Sequence, residues 1–208
     1  ALARIGKENT NIIVLDADLS KSTKTDTFKA VCPERFFNVG IAEQNLISVG
    51  AGLAAAGKIP FVSSFSMFAT GRAFEQIRNA VCYPKLNVKV CATHAGITVG
   101  EDGATHQSLE DISCMRTLPN MTVVVPADER ETEAVIEWAA SYNGPVYVRL
   151  GRAGVDDVTT EGYSFVPGKS TILVDGSDAT IIACGALVGP AVEASKTLSE
   201  SNISASVI

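Results

Sequence analysis

Apolar residues gather in short runs along the chain, at Ile12–Leu15, Pro60–Ser63, Val88–Ala92, Thr122–Val125 and Val146–Leu150. Each run has strand length, and most are rich in Val and Ile with no polar alternation, the pattern of strands buried on both faces. Between them, apolar positions recur at helical spacing over Glu43–Ala56, Ala69–Val81, Ser108–Arg116 and Glu129–Tyr142. Short β-branched strands alternating with longer helices predict an α/β fold, a mostly parallel sheet with helices on both faces. Pro126-Ala-Asp128 provides a turn and a capping carboxylate for the last helix, and Asn143-Gly144-Pro145 stops it.

The pattern changes after Arg152. Residues 153–169 carry Gly, Asp, Thr and Pro without sustained period and read as a linker. Ser170–Val174 and Ala179–Cys184 then read as two strands around the turn Asp175-Gly-Ser-Asp178, followed by a helix over Gly189–Ser199 and a strand over Ile203–Ile208. The expected organisation is a first domain over 1–152, a linker over 153–169, and a second α/β domain begun and not completed over 170–208. The chain opens at Ala1 without a methionine, in a helix-like stretch, so an earlier beginning is expected.

Composition narrows the class. Of 208 residues, 46% are hydrophobic and 19% charged, enough for a buried core. The 17 basic and 23 acidic residues leave a net charge of −6, the wrong sign for a chain that tracks nucleic-acid phosphates. No apolar run approaches 18 residues, and no signal-peptide pattern opens the chain, so neither a membrane nor export is expected. Five cysteines (Cys32, Cys82, Cys91, Cys114, Cys184) sit in apolar company with no C-x-x-C pair, which points to reduced thiols in the cytoplasm.

Three segments depart from a plain core-and-loop sequence. In Phe37-Asn-Val-Gly-Ile-Ala-Glu43-Gln44-Asn45, a strand-like Phe36–Val39 runs through Gly40 into a helix, which puts Glu43 in the first turn. An exposed Glu43 would complement the helix dipole, and a buried one would hold and pass a proton near neutrality; the spacing does not decide. Thr93-His94-Ala-Gly-Ile-Thr-Val-Gly100-Glu101-Asp102-Gly103-Ala-Thr105-His106-Gln107 holds both histidines of the chain and follows a strand, where open α/β sheets bind ligands. A solvated Gly-rich loop is one reading, and the spacing fits no usual zinc pattern. A cluster for a hydroxylated substrate fits better, because imidazoles and a carboxylate donate to and accept from several hydroxyls at once. Ser63-Ser64-Phe65-Ser-Met-Phe68-Ala-Thr-Gly71-Arg72 places two aromatics between a strand and a helix, either as core or as a plate for a flat heteroaromatic ring.

Together with Val14-Leu-Asp-Ala-Asp18-Leu19, the motifs Gly40-Ile-Ala-Glu43-Gln, Ser64-Phe65-Ser-Met-Phe68 and Gly100-Glu-Asp102-Gly-Ala-Thr-His106-Gln107 occur in the order and spacing of one family. Over essentially its whole length the chain resembles transketolase, in the pyrimidine-binding domain and the start of the C-terminal domain. The resemblance implies a two-carbon ketol transfer from a ketose phosphate to an aldose phosphate, in the pentose phosphate pathway, with thiamine diphosphate and Mg²⁺ as cofactors. It implies that Glu43 hydrogen-bonds N1′ of the cofactor's aminopyrimidine, that Phe65 stacks on that ring beside Phe68, and that Asp18, Leu19 and Ile41 lie near the cofactor. It further implies that His94, Asp102 and His106 hold the sugar's hydroxyls, with His94 and His106 catalytic alongside Glu43, and that Ser22 and Arg152 contact its terminal phosphate.

The chain also departs from that family. Gly71 stands where many members carry a tyrosine, so something else must close part of the ring pocket. The Gly-Asp-Gly and Asn signature that holds Mg²⁺ and the diphosphate is absent, so the resemblance implies a partner chain that supplies it. The chain is then the C-terminal subunit of a split enzyme, in a dimer or heterotetramer. The nearest alternative is a fragment resembling 1-deoxyxylulose-5-phosphate synthase, against which His94 argues. A 2-oxo acid dehydrogenase β subunit lacks the Gly-Glu-Asp-Gly-x-Thr-His block. A non-catalytic partner subunit would be free to lose Glu43 and the histidines, and all three are present.

Overall fold

In the computed structural model, which describes residues 1–208, six strands form one sheet in the order β2-β1-β3-β4-β6-β5. They are β1 (Ile12–Asp16), β2 (Phe36–Asn38), β3 (Ile59–Phe65), β4 (Lys89–Thr93), β5 (Thr122–Val124) and β6 (Val146–Arg149), and every pairing is parallel. The parallel α/β expectation holds. Strands β1 and β4 are buried at every position, as inner strands of a parallel sheet are, with Ile12, Ile13, Val14, Leu15 and Val90 among the apolar side chains they bury. Each such side chain taken from water contributes about 1.5–3 kcal/mol.

The helices are α1 (Leu2–Glu8), α2 (Ser20–Thr23), α3 (Asp26–Val31), α4 (Glu43–Ala55), α5 (Phe74–Gln76), α6 (Asp111–Arg116), α7 (Glu129–Ser141) and α8 (Val188–Glu200). Helix α4 buries Glu43, Leu46, Ile47, Gly50 and Ala51, one stripe of helical period. It lies so close to β3 that a Cβ on Gly50 would stand 2.8 Å from Val62 Cγ1. Glycine is what lets α4 bring its N-terminus down to the sheet.

Two helix expectations are corrected. Over Ala69–Val81 the chain forms wide π-helical turns at Met67–Arg72 and Ile77–Cys82 with α5 between them. Thr70 Oγ1 donates to the Ser66 carbonyl oxygen at 2.8 Å, competing with the backbone donor that an α-turn would use. The helix expected over Ser108–Arg116 begins at Asp111 instead. Ser108 is held elsewhere: its carbonyl accepts from the Gly96 amide at 2.9 Å, and its hydroxyl accepts from Ser66 Oγ at 3.2 Å.

The chain divides into two compact units, residues Ala1–Val124 with Ile136–Ala153, and Val125–Val135 with Gly154–Ile208. In the second unit, β7 (Ala179–Ile181) pairs in parallel with β8 (Ala205–Val207). The strand expected at Ser170–Val174 is reduced to one antiparallel bridge, Val174 with Val207. At Gly176 the backbone presses against Ala205 and Ser206, and Asp178 Oδ2 accepts from the Ser204 amide at 2.8 Å, which turns the chain out of register. Asp128 gathers four donors, the amides of Glu131, Val158 and Thr159 and the Thr159 hydroxyl, at 2.7–2.9 Å. Burial pushes its carboxyl up, and those four bonds outweigh it and hold the carboxyl below its ordinary range.

Candidate functional site

The sheet order reverses direction between β1 and β3: the chain goes to one side for β2 and then crosses to the other. Parallel sheets open a crevice at such a point, beyond the carboxyl ends of the strands. The candidate residues of the first unit emerge from those ends. Leu19 and Ser22 follow β1, Glu43 follows β2, Phe65 closes β3, His94 follows β4 and Arg152 follows β6.

A cavity of about 590 Å³ opens there, lined by Leu19, Ser22, Phe65, His94, Asp102, His106 and Arg152, with Lys21 and Lys24. Residues from four separate segments converge on one pocket. Phe65 forms its floor, with the His94 ring stacked on it at 3.8 Å between centroids. His106 meets Phe68 edge-on at 5.0 Å. His94 adopts a left-handed backbone (φ 59°), and its Nδ1 contacts Thr93 Oγ1 at 2.9 Å. Burial lowers its proton affinity, the Arg152 and His106 charges lower it further, and Asp102 opposes them. A neutral imidazole suits an acceptor for sugar hydroxyls.

The histidine loop is fastened from beneath. Asp111, wholly buried, accepts from Tyr147 Oη and from Arg149 Nε, each at 2.7 Å, and Tyr147 Oη contacts Ser66 Oγ at 2.8 Å. Asp16, also buried, accepts from the Leu19 amide and from Thr23 and Thr25, which sets the loop that carries Leu19 and Ser22. Burial raises the Asp16 carboxyl above its ordinary value, with those three bonds acting in the other direction.

Asp18, Ile41, Glu43 and Phe68 do not line that cavity. Asp18 pairs with Asn38 through two hydrogen bonds of 2.9 and 3.1 Å. Ile41 is 77% exposed. Glu43 is buried at the start of α4, so the exposed dipole-complementing reading gives way to the buried carboxyl. Its Oε2 accepts from Arg72 Nη1 at 2.7 Å, while Oε1 has only Ser64 Oγ at 3.5 Å. Arg72 also lies 4.7 Å above the Phe68 ring, and the space a side chain at Gly71 would enter is bounded by Met67, whose Cε lies 3.2 Å from where a Cβ would stand. Glu43, Arg72, Phe68, Phe65 and His94 thus form one continuous chain of contacts. The donor set fits an aminopyrimidine: one oxygen of a buried carboxyl has only a 3.5 Å contact, and the arginine on its other oxygen lies over the first of two neighbouring aromatic rings. No group of three or more His, Cys, Asp or Glu side chains is placed to hold a metal ion.

Reading the sequence missed Lys21, Lys24, Arg72 and Glu101 as parts of the site. A signal existed for Arg72, because it stands four residues beyond Phe68, one turn away. For Glu101 there was none beyond its place next to Asp102.

An open parallel α/β domain with a polar pocket at its switch point defines a small-molecule enzyme domain. The model described as transketolase, pyrimidine binding domain, matches residues 1–156, and that of the transketolase C-terminal domain matches residues 168–208. The chain belongs to the transketolase family. It is 56% identical over 209 residues to a chain designated a transketolase C-terminal section in Methanocaldococcus jannaschii, covering all of this chain and 66% of that one. It is 40% identical to a 6-deoxy-6-sulfo-D-fructose transketolase subunit of a Clostridium species, covering 64% of that protein. A solved structure described as a split-gene transketolase, inactive β4 tetramer, superposes with a TM-score of 0.90 at 56% identity, over 99% of this chain and 67% of that chain. The chain spans about two thirds of the length of these relatives. No helix is long and apolar enough to cross a membrane.

Proposed function

We propose that this chain is the pyrimidine-binding subunit of a thiamine diphosphate-dependent transketolase, moving a two-carbon ketol unit from a ketose phosphate to an aldose phosphate. The observation that carries this reading is the single pocket into which Phe65, His94, Asp102, His106 and Arg152 converge, with buried Glu43 linked to Phe65 through Arg72 and Phe68. The cofactor, when bound, supplies the carbon nucleophile and the electron sink for cleavage.

The chain's own residues do the rest. Glu43 offers Oε1 to the pyrimidine nitrogen and holds the proton there, with Arg72 fixing Oε2. Phe65 and Phe68 bound the ring, with Asp18, Leu19 and Ile41 at the edge that a second chain would complete. His94, Asp102 and His106 orient the sugar's hydroxyls and move protons at its reacting oxygens. Ser22 and Arg152 take the terminal phosphate, and Lys21 and Lys24 add to the positive field in a chain whose net charge is negative.

A separate chain carries the Mg²⁺ and diphosphate site, in a dimer or heterotetramer working in the cytoplasm, where the five free cysteines stay reduced. The relatives designated a C-terminal section and a transketolase subunit support this division. The test is two-carbon transfer by the purified chain with and without an N-terminal transketolase subunit from the same source. Turnover only in the mixture is expected. Mg²⁺-dependent cofactor binding and turnover by this chain alone would refute the two-chain reading.

A further inference from the structure

Arg152 is the cation assigned above to substrate phosphate, yet its guanidinium is already engaged. Nη1 donates to the Val99 carbonyl oxygen and, at 3.0 Å, to Glu101 Oε2, and Nη2 donates to Glu101 Oε1 at 2.5 Å. An arginine has five N–H donors, so three are in use and two remain, one on Nε and one on Nη2. The close approach depends on Gly100 (φ 85°), where a Cβ would stand 2.6 Å from Nη1. Apart from this pairing Glu101 faces water, its side chain 80% exposed against 34% for Arg152. The hydrogen bonds from Arg152 hold the Glu101 carboxyl down at about 2, so it is anionic throughout the working range.

Resting on the phosphate assignment of Arg152, we infer that Glu101 is a built-in competitor for the sugar's phosphate: its carboxylate occupies the guanidinium fork until a phosphate displaces it. A planar fork accepts carboxylate and phosphate in the same bidentate geometry. An exposed carboxylate rotates back into water at little cost, so the ion pair is weak enough to give way. A phosphate offers three oxygens and greater charge, and it reaches donors that line the same pocket, Lys21, Ser22 and Lys24. Departure of Glu101 raises the free donors of Arg152 from two to four, with Val99 keeping one. A neutral sugar has nothing with which to displace the carboxylate. Glu101 is therefore a specificity-determining residue acting through Arg152: its carboxylate weakens the binding of phosphorylated ligands, leaves that of unphosphorylated ones unchanged, and so narrows the preference between them.

The full chain can be titrated with ribose 5-phosphate followed by ³¹P NMR, and with ribose followed by ¹³C NMR. The proteins compared are wild type, Glu101→Gln, Arg152→Ala and the double variant. Glu101→Gln should tighten ribose 5-phosphate binding about two- to fivefold, the range set by an exposed ion pair, and leave ribose binding unchanged. Arg152→Ala should weaken the phosphate ligand, and adding Glu101→Gln to it should change nothing further. Unchanged or weaker phosphate binding in Glu101→Gln, with Arg152→Ala still weakening it, would overturn the competitor role alone. Unchanged binding in Arg152→Ala would overturn the phosphate assignment and the competitor role with it. Absence of ribose 5-phosphate binding in both wild type and Glu101→Gln would also overturn the competitor role.

Discussion

Lys89, at the start of β4, is wholly buried, and its Nζ donates to the carbonyl oxygens of Tyr142 and Gly144, each at 2.7 Å. The turn joining α7 to β6 is therefore tied to the sheet by one side chain, which also lies 5.3 Å from the Tyr142 ring. Replacing it by methionine keeps the length and volume but leaves two carbonyls without their donor. At about 1–3 kcal/mol for each stranded acceptor, Lys89→Met should cost about 2–6 kcal/mol at high pH. For a chain of this size, at about 2–4 °C per kcal/mol, that is a fall in Tm of about 4–24 °C.

The cost depends on pH in a definite direction. Burial lowers the Lys89 ammonium from 10.5 to about 7, with the Cys91 thiol beside it pushed up to about 12. The folded chain thus releases this proton more readily than the unfolded one. The stability contributed by neutral Lys89 is complete above 10.5, declines as pH falls from 10.5 to 7, and is gone below 7. Between pH 9.5 and 6.5 the wild type should lose about 3 kcal/mol relative to Lys89→Met. The measurement is a pair of melting curves at each pH, followed by circular dichroism, with the difference between the proteins as the quantity read. A difference widest at pH 6.5 would mean that the two carbonyls hold the ammonium charged, and would refute the reasoning.

The site yields three further predictions. In the reconstituted enzyme, Glu43→Gln should reduce turnover by about 10² or more at saturating cofactor, and near-normal turnover would remove Glu43 from the mechanism. His94 and His106 are the chain's two imidazoles, so their ¹H resonances are separable. His94 should titrate below 6.5, move up in Arg152→Gln and down in Asp102→Asn; a wild-type midpoint above 6.5, or one unmoved by Arg152→Gln, would refute the electrostatic account. Arg152→Ala should raise KM for phosphorylated sugars much more than for unphosphorylated ones, and equal effects would argue against a phosphate contact.

The sheet was legible because most of its strands are short, largely apolar runs without polar alternation, whose burial needs no knowledge of distant residues. Glu43 was legible as a first-turn residue, and its burial was not, since that follows from Gly50 allowing α4 onto β3. The π-helical turns were hidden because apolar spacing over Ala69–Val81 suits an α-helix and the deciding bond is Thr70 to Ser66. Ser170–Val174 has strand composition, yet Gly176 and Asp178 fix a turn that leaves one bridge. The pairs that set the site's charge, Arg72 with Glu43 and Arg152 with Glu101, join residues 29 and 51 positions apart. No local pattern encodes such a meeting. It exists only once the strands have brought their ends together.

The wide turn at Met67–Arg72 makes the number of residues there matter as much as their kinds. Each residue in an α-helix advances the side chains by about 100° around its axis. Deleting one residue between Phe68 and Arg72 would tighten the wide turn and shift the guanidinium relative to both the Phe68 ring and Glu43. Every amino acid of the contact chain would still be encoded, and the chain would be cut. Insertions and deletions in this short stretch should therefore be far less tolerated than substitutions in it, such as Met67→Leu.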